Sequence, residues 1–281
     1  MVRAMRILFL SALLWVGACG PAGRDHGSGN GDAGPGTDGT GSGSNGDMSR
    51  VYAHSGTKLY RIDTQTLQPV EIGPLTNVTG SLTDLAIDKS DRMVGVTLNK
   101  LFSIDPTTGT AILIKALSGA GGYTSLSYVP SDLNDPNSTD ILVTANDQGD
   151  VFQIDPTTGN LTKIGSYGTS GSNKVISSGD LIGVRGLGIY ATVDVGTQPN
   201  DYLASIDPAT WKATPIGTGT GYNNIFGLGF WAGTIYGFVD AGTGMGKIIK
   251  IDPTTGAGSE LNSGAIQWFG AGVSTDAPII Q

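Results

Sequence analysis

One short phrase, written five times, limits what this chain can fold into. It reads Leu59-Tyr60-Arg61-Ile62-Asp63, Leu101-Phe102-Ser103-Ile104-Asp105, Val151-Phe152-Gln153-Ile154-Asp155, Leu203-Ala204-Ser205-Ile206-Asp207 and Ile248-Ile249-Lys250-Ile251-Asp252. The aspartates are 42, 50, 52 and 45 residues apart. Self-similarity at that period signals an array of small supersecondary units. Punctuation by turn residues divides each repeat into four short strands, here A to D. Units of four short strands at this period build a β-propeller.

Strand C is the phrase itself. Three copies continue as Asp-Pro-Thr-Thr-Gly, at 105–109, 155–159 and 252–256. Asp accepts hydrogen bonds from the backbone two residues on, Pro presets φ, and Gly supplies the positive φ that closes the hairpin. The copies Asp63 to Leu67 and Asp207 to Trp211 lack the glycine, so their turns are expected to be built differently. Strand D ends in Ile72-Gly73, Ile164-Gly165 and Ile216-Gly217. Strand B contains Tyr52-Ala53-His54, Val94-Gly95-Val96, Leu142-Val143-Thr144, Tyr190-Ala191-Thr192 and Tyr236-Gly237-Phe238. Strand A contains Asp84-Leu85-Ala86, Ser125-Leu126-Ser127, Asp180-Leu181-Ile182, Gly227-Leu228-Gly229 and Gly270-Ala271-Gly272, small residues that suit crowding near an axis.

The repeat count does not start on a blade boundary. The folded region opens at Arg50-Val51-Tyr52 with a B strand, and the last segment, Ile266 to Val273, is an A strand with nothing after it. Together they make one blade. The expected fold is therefore all-β: a five-bladed propeller of four-stranded blades, closed by N- and C-terminal strands that share a blade. The other four fall near 79–117, 120–168, 174–218 and 222–262. The pattern resembles the YVTN and quinoprotein-like β-propellers of exported bacterial proteins. That resemblance covers about 50–276. It implies the fold but no single activity, because those families include lactonases, dehydrogenase domains and pure binding modules.

The chain begins like an exported protein. Arg3 and Arg6 precede an apolar run, Ile7 to Val16, and small residues follow. The run is too short for a bilayer span of about 20 apolar residues. Val16-Gly17-Ala18-Cys19 resembles the lipobox of bacterial lipoproteins. This implies a signal peptide over 1–18 and a lipidated Cys19, the only cysteine, so that acyl chains would hold the protein to a membrane. Gly20 in place of Asp implies the outer membrane, with the domain facing the periplasm or exterior. Residues 19–48 read as a tether and 49–281 as the propeller. Eleven of residues 20–48 are glycine, a composition that cannot bury a core and spans about 30 Å on average.

Without Arg3 and Arg6 there are 14 basic against 24 acidic residues, which makes nucleic acid and anionic lipid poor partners. Only His26 and His54 are present, so a histidine-built metal cluster is excluded. With no usable nucleophile–base pair and no phosphate loop, no cofactor is implied. The reading is a monomeric, non-enzymatic binding or scaffolding module for a protein, peptide or glycan.

Three sets of residues keep other readings open. Asp84, Ser125 and Asp180 begin equivalent A strands and are ligand-binding candidates at a channel mouth. Two carboxylates there could bind a cation or act as acid and base, the basis of a hydrolase or lyase alternative. The oxygen-rich run Asp132, Asn134, Asp135, Asn137 and Asp140 is a candidate Ca²⁺ loop, although it lacks the glycine and glutamate of an EF-hand. The repeated hairpin aspartates, by contrast, lie too far apart to form a ring. Trp211, Trp231 and Trp268 do not recur by blade. A carbohydrate-binding propeller would stack its sugar on Trp211 or Trp231.

Overall fold

The computed structural model describes residues 50–277 apart from Ala120. Among them there is no helix, and five antiparallel sheets form a five-bladed β-propeller. Blade 1 holds β1 (Val51–His54), β2 (Lys58–Ile62) and β3 (Pro69–Pro74). Blade 2 holds β4 (Asp84–Ile87), β5 (Met93–Thr97), β6 (Lys100–Ile104) and β7 (Ala111–Ala116). Blade 3 holds β8 (Ser127–Pro130), β9 (Asp140–Ala145), β10 (Asp150–Ile154) and β11 (Leu161–Ser166). Blade 4 adds a short edge strand, β12 (Thr169–Ser170), to β13 (Asn173–Val184), β14 (Gly188–Val195), β15 (Tyr202–Ile206) and β16 (Ala213–Pro215). Blade 5 holds β17 (Ile225–Trp231), β18 (Thr234–Gly242), β19 (Met245–Ile251) and β20 (Gly258–Gly264). The last strand, β21 (Gly270–Val273), returns to blade 1 and pairs Val51 with Val273 and His54 with Gly270. The ring is closed by both ends of the fold, as the A-strand remnant implied.

The core is divided among the blade interfaces. Five buried apolar clusters each span two neighbouring blades, one cluster per interface. A repeated irregularity feeds them. In four blades the outer strand carries one extra residue opposite the start of the phrase, a β-bulge that leaves Ile72, Ile114, Ile164 or Leu261 unpaired. Ile72, Ile114 and Ile164 pack into the cluster shared with the next blade. Trp268 closes the seam between blades 5 and 1, edge-on to both Tyr60 and Phe238.

The hairpin turns are more uniform than their sequences. In all five the fourth residue after the aspartate donates its N–H to the aspartate carbonyl at 2.8 Å. This includes Leu67 and Trp211, which take φ of +57° and +62° where the others place Gly109, Gly159 and Gly256 at +75°, +67° and +72°. The glycine-less turns are thus built like the rest, contrary to the expectation from sequence. The left-handed conformation costs a non-glycine residue about 1–2 kcal/mol, and burial offsets it. Trp211 is 94% buried in the cluster between blades 3 and 4, and Leu67 packs on the cluster between blades 5 and 1. These turns also lock blades together. A Cβ on Gly73 would meet Thr108 O at 3.1 Å, and one on Gly217 would meet Thr255 O at 1.9 Å, so each Ile-Gly ending leaves room for the next blade's hairpin.

Candidate functional site

The five A strands meet at the axis, and equivalent positions there carry Asp84, Ser125, Asp180, Gly227 and Gly270. Space decides where the glycines fall. A Cβ on Gly227 would lie 2.6 Å from Ala271 N, and one on Gly270 would lie 2.6 Å from both Asp84 Oδ1 and His54 Nε2. The aspartates staple neighbouring blades. Leu85 N donates to Asp84 Oδ1 at 2.8 Å, and Leu126 N of blade 3 donates to Asp84 Oδ2 at 2.7 Å. Asp180 repeats the device, with Leu181 N on Oδ1 at 2.6 Å and Leu228 N of blade 5 on Oδ2 at 2.7 Å. Ser125 Oγ accepts Ala145 N at 2.9 Å. All three side chains are buried, so this layer is a sealed junction rather than an open channel.

The structure brings two of the sequence candidates together. The carboxyls of Asp84 and Asp180 lie close enough for each to influence the other's protonation. Burial pushes both well above the usual carboxylate range, and the proximity of Asp180 raises Asp84 further. Burial and the repulsion of two neighbouring negative charges both disfavour double ionisation, so the pair tends to retain a proton. His54 Nδ1 donates to Ser55 O at 2.9 Å, which leaves Nε2 a bare acceptor. That atom and Asp84 Oδ1 are each 2.6 Å from the point where a Gly270 side chain would begin, hence at most twice that apart. Burial holds the imidazole neutral by lowering it to about 4.

One step outward along the axis, the same five blades contribute Thr83, Thr124, Ser178, Phe226 and Phe269. All five are half-buried and line a cavity of about 590 Å³ on the face formed by the D–A and B–C connections. Two bulges aim them. Ser178 lies in the irregular stretch where Ser177 and Leu181 of β13 face Val193 and Ala191, and Phe226 is the unpaired residue between Ile225 and Gly227 of β17. Bulges commonly re-aim side chains beside binding sites. The result is two-sided. Hydroxyls from blades 2, 3 and 4 form one arc. Phe226 and Phe269, stacked at 6.2 Å and 22°, form the other. Leu98 stands 54% exposed at the lip, beside Lys100, whose Nζ donates to Thr79 Oγ1 at 2.9 Å.

Unsatisfied polar atoms concentrate on this face. Among the described residues, seven buried side-chain polar atoms make no hydrogen bond. Five of them, on His54, Thr124, Asn146, Tyr167 and Asp201, belong to D–A or B–C connections or to the strand ends that feed them, and a sixth, on Ser178, lies in the irregular stretch inside β13. Buried polar groups are normally partnered, so such a cluster sets this face apart from the rest of the packed interior. Asp201 Oδ2 accepts Ile225 N at 2.8 Å, while Oδ1 faces the Ser178 hydroxyl without forming a bond of good geometry. Burial raises Asp201 to about 7.

At the opposite end of the axis the oxygen-rich loop surrounds a protein cation. Arg185 donates to Asp135 O and Ser138 O at 3.0 Å and to Asp140 Oδ1 at 2.6 Å. Asp132 and Asp135 cap their own turns, accepting Asn134 N and Asn137 N. Thr275 of the closing segment donates to the other Asp140 oxygen. Among the described residues no three His, Cys, Asp or Glu side chains are grouped to hold a metal ion. The hairpin aspartates are separate and exposed, each capping its own turn. Trp211 and Trp231 are buried, Trp231 stacked at 3.6 Å on Tyr236, so neither offers a face to a sugar. The aromatic surface at the mouth is instead Phe226 and Phe269, which sequence reading passed over. Their signal was the position just before each small-residue A strand. Cys19, His26 and the expected signal peptide and tether lie outside the described residues.

No protein-family profile matches the chain, and no curated protein is significantly similar to it in sequence. Solved structures resemble its backbone. One is a Bacteroides uniformis protein assigned as a 6-phosphogluconolactonase, at 11% identity and TM-score 0.40, with 81% of this chain and 71% of that chain covered. Another is YCF48 bound to D1 peptide, at 15% identity and TM-score 0.42, covering 68% and 58%. A third is the computationally designed Ika4 protein, at 17% identity and TM-score 0.36, covering 66% and 100%. Values this low say nothing about ligands. The chain is a five-bladed β-propeller by its own strand order.

Proposed function

We propose that this protein is a non-enzymatic binding module that takes its ligand in the axial mouth between Phe226, Phe269 and the hydroxyl arc. The observation that carries the reading is the axial cavity of about 590 Å³, walled on one side by stacked Phe226 and Phe269 and on the other by Thr83, Thr124 and Ser178. Ligand sites are typically concave and mostly apolar with a few placed polar groups. The module would hang from a bacterial membrane, facing the periplasm or exterior, by acyl chains on Cys19 and the glycine-rich segment after it. Cys19→Ser should then release the protein from the membrane fraction. The site is tested by a ligand-observed NMR screen of small neutral compounds. Hits should be lost in the Ser178→Ala, Phe269→Ala double variant, and hits that persist there would move the site elsewhere.

The second reading, a hydrolase or lyase, draws on the electrostatic coupling of Asp84 and Asp180, an arrangement that can divide acid and base roles. Against it stands the burial of both beneath the mouth. Turnover of a lactone or glycoside that disappears in both Asp84→Asn and Asp180→Asn, while the fold is retained, would replace the binding reading.

A further inference from the structure

Resting on the axial-mouth reading, we infer that the ligand is a small amphipathic anion, an apolar body with one carboxylate, its body against Phe226 and Phe269 and its carboxylate on Lys100. The repeat itself singles out Lys100. In every blade the outer-strand residue that faces the second residue of the phrase is diagonal to the residue just before the phrase. The diagonal pairs are Lys58 with Glu71, Lys100 with Leu113, Asp150 with Lys163, Tyr202 with Pro215 and Lys247 with Glu260. In blades 1, 3 and 5 the two residues form an ion pair, at 2.7, 2.8 and 2.6 Å. Blade 3 keeps the pair with its signs exchanged, so the frame asks for a pair there and not for a particular sign. Blade 4 drops both charges. Blade 2 alone keeps a charge and gives up its partner.

Lys100 lines the mouth, whereas Lys58, Asp150 and Lys247 do not. Its Nζ donates to Thr79 O at 3.3 Å and to Thr79 Oγ1 at 2.9 Å, neutral acceptors that leave a third N–H and the charge unmatched. The chain carries 24 acidic against 16 basic residues, yet among the described residues no carboxylate lines the cavity. The remaining accessible wall is largely apolar. Phe226 and Phe269 stack, and Leu98 is 54% exposed. The Thr124 and Ser178 hydroxyls are buried within the wall, and Thr83 Oγ1 is committed to two carbonyls. A mouth that presents rings and one unbalanced cation suits an apolar body with a single negative head. A second anionic group, or a cation, would find no counter-charge there. The cavity of about 590 Å³ has room for a body of more than one ring.

The probes are naphthoate, indoleacetate and phenylbutyrate, each beside its neutral primary amide, titrated calorimetrically into the full-length protein at low salt. At least one acid should bind, about tenfold or more tighter than its amide, as a hydrogen bond to a charged partner allows. Neutral compounds read the aromatic wall alone, so Phe269→Ala should weaken acid and amide alike. Lys100→Met, which keeps the stem and removes the charge, should bring the acid down to its amide and leave the amide unchanged. Lys100→Arg should retain the preference. Leu113→Glu is the sharper variant, because it alters an exposed residue outside the cavity lining. It restores the partner that Glu71 and Glu260 supply in blades 1 and 5, so it should draw Lys100 away and abolish the preference for the acid. Acids and amides that bind the wild type equally would overturn the carboxylate and leave an apolar site. A preference that survives Lys100→Met would place the anion elsewhere and end the proposal. Binding of the peptide Gly-Gly-Phe through its free C-terminus, with no small acid bound, would reassign the site to a peptide end. If no probe binds in a Phe269-dependent way, the mouth reading falls with it.

Discussion

The outer hairpins and the axial mouth are both assembled from one contribution per blade, yet they behave oppositely. At the rim, five turns keep one geometry through changes of sequence, and Leu67 and Trp211 accept left-handed backbone to preserve it. At the mouth, five equivalent places carry unlike residues, two of them re-aimed by bulges. In a repeat fold each unit must dock on its neighbours, so what the blades share is the docking surface. What they do not share is free to serve a ligand. The contrast separates frame from site without reference to any relative.

The strongest test of the frame is its closure. A chain ending at Gly264 loses β21 and the Trp268 plug. Truncating a buried Trp alone costs about 3–5 kcal/mol, against a whole-domain stability of about 5–15 kcal/mol. The truncated domain should lose its cooperative thermal transition by circular dichroism and become protease-sensitive. A sharp transition at the original temperature would mean that the ring does not depend on its last strand.

The axial carboxyls come next, because they belong to the frame although they sit under the site. Asp84→Ala strands the N–H groups of Leu85 and Leu126, a loss of about 3 kcal/mol for two buried donors. Asp180→Ala should match it through Leu181 and Leu228. The pH dependence has a definite sign. Both carboxyls are raised in the folded state, so folding holds protons that the unfolded chain releases. The stability they give is full below about pH 4, the unfolded carboxylate value, and is lost progressively as pH rises from there to the folded value, about 8 for Asp180. Asp201, raised to about 7, acts in the same direction. His54, lowered to about 4, acts oppositely but only below its unfolded value of about 6.5. Tyr167, also near Asp180, is raised by burial and stays neutral throughout. Denaturant midpoints should therefore fall from near neutral to about pH 8. The fall should shrink in Asp84→Asn, and an unchanged slope would mean the pair is not the source.

How much of this was readable beforehand follows the same division. The phrase ending in Ile-Asp announced strand C, its turn and the period, because docking forces those residues to repeat. The closing strand was legible from Gly270-Ala271-Gly272 because the axis admits only small residues. The left-handed Leu67 and Trp211 were not legible, since local propensity argues against them and only the neighbouring blade's core overrides it. Asp84 and Asp180 were found as a pair by position, but nothing in the chain says whether the axis is open. Phe226 and Ser178 were hidden by bulges, which break the register on which the repeat alignment relied.

The turns offer a finer comparison within the frame. Gly256→Ala places a Cβ 2.4 Å from Ile216 O at φ +72°, so strain of about 1–2 kcal/mol comes with a clash against the preceding blade. Leu67→Gly relieves comparable strain but gives up its packing, so the net change should be under about 1 kcal/mol in either direction. Chemical denaturation of the pair checks both. Equal losses would show that the leucine is placed by its own preference and not by the interface.

The smallest effects should fall at the mouth, and their sign is informative. Thr124→Ala removes a hydroxyl with no hydrogen bond in the fold, and Ser178→Ala one that faces Asp201 Oδ1 without a bond of good geometry. An unpartnered buried hydroxyl is a cost that folding carries, so its removal should leave stability within about 0.5 kcal/mol of the parent or raise it. The removal of Thr83 Oγ1, which two carbonyls engage, should instead cost about 1 kcal/mol. Three hydroxyls on one ring, at equivalent positions and similar burial, would then divide by whether the fold uses them. A uniform loss across all three would make Thr124 and Ser178 parts of the frame and leave the mouth without a polar edge of its own. A neutral or favourable result at 124 and 178 alone would show that the fold does not depend on these two hydroxyls.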